Sequence, residues 1–160
     1  MHFIPLLGLT AATVAAAQER GFPPAPEDYK WDLIHWQAGQ SHGTTPPTSW
    51  YMFNVTVPSY GADSSYIPPF QAHCEGSGHG QPLGSNYSRC TTDARIGSPD
   101  SVVLARIVPH DNIKARIAIN HLFYADDDTK TRRKFAVTVV EDWARERLPH
   151  DFTVTPAQAP

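Results

Sequence analysis

Fifteen prolines are distributed along the 160 residues, and they narrow the fold more than anything else in the chain. Each removes a backbone donor and clashes with the turn before it, so long helices are excluded. The stretches between prolines alternate in polarity with a period of two, which is the pattern of strands with one buried face. YKWDLIHWQAG places Trp31, Leu33 and His35 on one face and Asp32, Ile34 and Trp36 on the other. WYMFNVTVP groups Tyr51, Phe53, Val55 and Val57 against Trp50, Met52, Asn54 and Thr56. SVVLARIVP is apolar on both faces except at Ser101 and Arg106, as in a central strand. KARIAINHLFY collects Ala115, Ile117, Ile119, His121 and Phe123, and KFAVTVVEDW aligns Phe135, Val137 and Val139. The charged segment ADDDTKTRR between these last two reads as a hairpin loop of eight or nine residues. The one helical contender, EDWARERL, is stopped by Pro149. The expected class is all-β, a small antiparallel β-barrel or sandwich.

The N-terminus sets the compartment. MHFIPLLGLTAATVAAAQER carries an apolar run from Phe3 to Val14 followed by Ala15-Ala16-Ala17, a small-x-small cleavage pattern. Residues 1–17 therefore read as a signal peptide, and the protein is expected to be secreted and not inserted in a membrane. Residues 18–28, QERGFPPAPED, read as a flexible Pro-rich leader, residues 29–150 as a single domain, and residues 151–160 as a loose tail. A net charge of −3 does not suggest nucleic acid as a partner.

Export decides the state of Cys74 and Cys90, the only cysteines in the chain. In an oxidising compartment a disulfide is expected. It would close a loop worth about 3 kcal/mol in the chain-entropy model. Phe70–His73 and Tyr87–Arg89, which precede the two cysteines, look like paired strand ends. A metal reading would recruit His73, His79 and His42, but no C-x-x-C spacing is present, and no metal or cofactor is expected. The glycines in HCEGSGHGQPLGSNYSRC lack the Gly-Lys-Ser/Thr of a phosphate loop. Asn54-Val55-Thr56 and Asn86-Tyr87-Ser88 match the N-glycosylation pattern, and the alternation turns Asn54 outward, as a glycan requires.

The pattern of residues 29 to 145 resembles a family of secreted fungal β-barrel proteins typified by the major allergen of Alternaria. The resemblance is carried by Tyr29-Lys30-Trp31 opening the first strand and by the aromatic strand Trp50-Tyr51-Met52-Phe53-Asn54-Val55. Cys74 and Cys90 in strand-like contexts and apolar strands ending near Trp143 complete it. The resemblance implies a small non-catalytic extracellular protein, with relatives that provoke immune responses in plants or in allergic hosts. Members near the type protein carry a second disulfide and an N-terminal cysteine that supports a dimer. This chain has neither, so no covalent dimer is expected.

The leading expectation is therefore binding of a host extracellular protein or small molecule, as in an allergen or effector. One rival is a carbohydrate-binding module. Trp31 and Tyr51 fall on core faces, whereas Trp36 and Trp50 fall on the opposite register and could form a surface platform for sugar rings. The other rival is a small secreted ribonuclease, with an acid/base pair drawn from His73, His79, His110, His121 and Glu141. His121 lies on an apolar face, where a core histidine is the commoner outcome, and His110 sits in turn chemistry.

Overall fold

A computed structural model describes residues 25–41, 46–109, 113–125, 130–143 and 148–159. The signal peptide, residues 18–24 of the leader, His42, His110, the aspartates of the charged loop and the centre of the helical contender lie outside the described residues. Every strand among the described residues pairs antiparallel, and the one helical element among them is a 3₁₀ turn at Asp63–Ser65. The strands are β1 (Trp31–Gln40), β2 (Thr48–Val57), β3 (Phe70–His79), β4 (Ser88–Arg89), β5 (Thr91–Thr92) and β6 (Val102–Ile107). They continue with β7 (Ala115–Tyr124), β8 (Arg132–Glu141), β9 (His150–Val154) and β10 (Ala157–Ala159).

The described residues form two five-stranded sheets, in the orders β5-β3-β2-β1-β9 and β10-β8-β7-β6-β4. At one margin the chain passes from β4 in the second sheet to β5 in the first through the single residue Cys90. At the other it passes from β9 to β10 through Thr155 and the buried Pro156. With both margins bridged, the two sheets make a flattened barrel, which protects their edges. The alternation read from the sequence holds in the two long central strands. Tyr51, Phe53, Val55 and Val57 of β2 and Ala115, Ile117, Ile119, His121 and Phe123 of β7 all face the core.

β1 departs from that alternation. Its pairing shifts between Ile34 and Gln37 against β2 and between Leu33 and Trp36 against β9. His35 occupies a positive φ of 55°. Two residues thus oppose one, and every side chain after the bulge changes face. His35 turns outward, where its N–H donates to Asp151 Oδ1 at 2.7 Å. Trp36 turns inward, is 2% exposed, and stacks on Phe53 with ring centroids 4.9 Å apart. The expectation of a surface Trp36 is overturned by this one extra residue.

The glycine-rich half of the segment between the cysteines is strand, because β3 runs on through Gly76 and Gly78. A Cβ on Gly76 would lie 2.6 Å from the Tyr51 hydroxyl, so the glycine leaves space for the cross-strand phenol. Three further expectations are corrected. The strand end before Cys74 pairs with β5, after Cys90, whereas β4 pairs with β6. The β7–β8 loop covers only residues 125–131, since Arg132 and Arg133 already belong to β8. The expected loose tail, residues 151–160, is strand over most of its described part, residues 151–159. β9 pairs with β1, β10 pairs with β8, and Phe152 meets Trp36 edge-on at 5.5 Å.

Candidate functional site

Described residues from three places meet at one cleft: the β2–β3 connection, the β5–β6 connection, and the end of β7 with the two described flanks of the β7–β8 loop. The cleft has a volume of about 470 Å³ and is lined by Tyr66, Pro68, Ser98, Asp100, Tyr124, Ala125 and Lys130. Tyr66 is 37% exposed and Tyr124 49%. Pro68 and Ala125 are buried, Ser98 is half-buried, and Asp100 and Lys130 are exposed. Among the described residues neither of these two charges has an ion-pair partner.

Each wall is held from behind. Ile67 and Tyr60 exchange backbone hydrogen bonds of 2.7 and 3.1 Å, which fixes the residue before, Tyr66. Gly97, at φ 91°, approaches the Pro69 carbonyl so closely that a Cβ would lie 2.2 Å from its oxygen. Only glycine combines that positive φ with that contact. Ser101 N–H donates to Ser98 O at 3.0 Å, and Ala125 N–H to Thr131 O at 2.8 Å. The Ser101 hydroxyl, directly after Asp100, sits 2.7 Å from Nε2 of the fully buried His121.

His121 is packed among rings, with Phe70 at 4.2 Å and Phe123 stacked at 4.9 Å. Burial pushes its pKa down from 6.5 to about 3, so the ring is neutral at any ordinary extracellular pH. Its Nδ1 has no hydrogen-bond partner among the described residues. His121 is a core histidine, as its apolar-face position led one to expect, and through Ser101 it also anchors the Ser98–Ser101 wall.

The other expected site residues are spread over the molecule. Cys74 in β3 and Cys90 between β4 and β5 form the disulfide, with Cα atoms 4.4 Å apart. It therefore staples the point where the chain crosses between sheets. Asn54 is half-buried on the outer face of β2, and His73 Nδ1–H donates to its Oδ1 at 2.9 Å. That leaves Nδ2, the atom a glycan would use, unengaged by this bond. Asn86 is exposed in the segment before β4.

Trp50 is 44% exposed and lies over its cross-strand neighbour Gly39, where a Cβ would meet the indole at 2.6 Å. With Trp36 inside, the two tryptophans share no surface. His73 faces outward on β3 with Glu75 at 3.7 Å, and His79 is six residues further along the same strand. Glu141, at the far end of β8, pairs with Ala115 rather than lying near His121. The structure does not bring His73, His79, His121 and Glu141 together. Among the described residues no three metal-ligating side chains cluster.

Tyr66, Asp100 and Tyr124 escaped sequence reasoning. Tyr66 and Asp100 lie in connections without periodicity. Tyr124 falls at a strand end, where exposure depends on what the neighbouring loops do. Comparison with protein-family models, curated proteins and solved structures finds no match for this chain.

Proposed function

We propose that this chain is exported and acts outside the cell as a binding protein, recognising a host protein or small molecule through its surface loops, without turnover. The observation that supports this best is the cleft between Tyr66 and Tyr124. Half-exposed aromatic rings beside charges of both signs that no described residue pairs, carried on loops and a strand end over a stapled scaffold, make a recognition surface. The signal-peptide pattern, the two sequons and the resemblance to secreted fungal β-barrel proteins agree with an extracellular role at a host interface. The disulfide Cys74–Cys90 is compatible with it.

The test is infiltration of the purified protein into leaves of several plant hosts, beside a Tyr66→Ala/Tyr124→Ala variant. A defence or cell-death response to the wild type that the variant fails to raise is the expected result. Silence in every host would remove the interface role, and an equal response to both proteins would remove the cleft from it.

A further inference from the structure

We infer that the cleft between Tyr66 and Tyr124 receives a pyranose ring of an extracellular saccharide; this deepens the binding role proposed above and rests on it. The cleft volume of about 470 Å³ lies within the range of small-molecule sites and accommodates one or two sugar rings. Tyr66 and Tyr124 line the cleft and are 37% and 49% exposed, and a tyrosine ring is amphipathic, with an apolar face onto which the C–H face of a pyranose can stack and a hydroxyl that tolerates water.

The charges select among ligand classes. Asp100 and Lys130 both line the cleft, and no described residue pairs with either. A purely anionic ligand would meet the Asp100 carboxylate, and a purely cationic one the Lys130 ammonium. An apolar aromatic ligand would strip water from both charges and return no hydrogen bond, which costs affinity. A hydroxyl array satisfies both, because each O–H can donate to Asp100 and each oxygen can accept from Lys130. Ser98 lines the same wall, and its hydroxyl can add a third polar contact.

The walls are also pre-formed. Gly97 locks one loop against the Pro69 carbonyl, and buried His121 holds Ser101 beside Asp100. A weak ligand class such as a sugar benefits most from a site that needs little ordering.

Neutral and acidic sugars share the ring and its hydroxyls, and Lys130 distinguishes them. The experiment is an amide NMR titration of the full chain, produced by a secreting host, with three probes: a neutral glucose trisaccharide, a galacturonic acid trisaccharide, and 4-ethylphenol. Expected are shifts at Gly97, Ser98 and Ala125 with one or both sugars below about 10 mM. Tyr124→Ala and Asp100→Asn should each weaken sugar binding about tenfold or more, and Tyr124→Phe should retain it. Lys130→Ala should weaken the uronate more than the neutral sugar. Exposed Asp100 keeps the test decisive should Tyr124→Ala fold poorly, since its variant preserves shape. If 4-ethylphenol moves the cleft amides and neither sugar does, the saccharide assignment falls while the binding role stands. If none of the three moves them, the saccharide assignment falls as well, and the leaf infiltration of the wild type and the Tyr66→Ala/Tyr124→Ala variant decides the binding role separately.

Discussion

A buried histidine next to a serine invites a catalytic reading, and at the residue scale the energetics of His121 point elsewhere. Desolvation holds its pKa at about 3 when folded, against 6.5 when unfolded. Between those values the unfolded chain binds the extra proton, so stability falls as the pH drops from about 6.5 toward 3 and is level, for this group, above 6.5. By pH 5 the loss amounts to about 2 kcal/mol. Urea midpoints across this range, compared between the wild type and His121→Phe, isolate the contribution. The wild type should lose stability on acidification more steeply than the variant, and parallel curves would contradict the assignment. Trp50 illustrates a different residue-scale lesson. Its indole covers the bare backbone of Gly39, so its position on the outer face is a packing arrangement whatever else the surface does.

At the scale of the element, β1 and the two C-terminal strands hold the main surprises. The bulge depends on His35 taking a left-handed conformation at φ 55°. A β-branched side chain pays most for that conformation, so His35→Val should cost about 1 kcal/mol or more, and His35→Gly should cost little or stabilise. Thermal or urea denaturation of the two variants checks this, and equal stabilities would contradict the bulge. Removal of residues 150–160 deletes both β9 and β10, uncovering the free edges of β1 and β8 and the edge of Trp36 that Phe152 covers. The truncated chain should lose its near-ultraviolet circular dichroism and self-associate on size exclusion. A native-like spectrum would mean that these strands are dispensable.

At the scale of the whole molecule, the disulfide closes a loop at the crossover between sheets, and its removal in Cys74→Ala/Cys90→Ala should cost about 3 kcal/mol. Denaturant unfolding of the oxidised wild type and the double variant measures it, and identical midpoints would show that the crossover holds without the bond. What the residues determined by themselves was the class of fold, the inward faces of β2 and β7, and the core role of His121. These follow from alternation, a property each strand carries locally because successive side chains leave a pleated backbone on opposite sides. The tertiary structure alone decided the bulge that buries Trp36, the conversion of residues 150–159 into edge strands, and the cleft of Tyr66, Asp100, Tyr124 and Lys130. The physical reason is common to all three. Each depends on which distant segments pair or converge, and an extra residue in a strand or an exposed ring at a loop tip has no meaning until its partner across the sheet or cleft is in place.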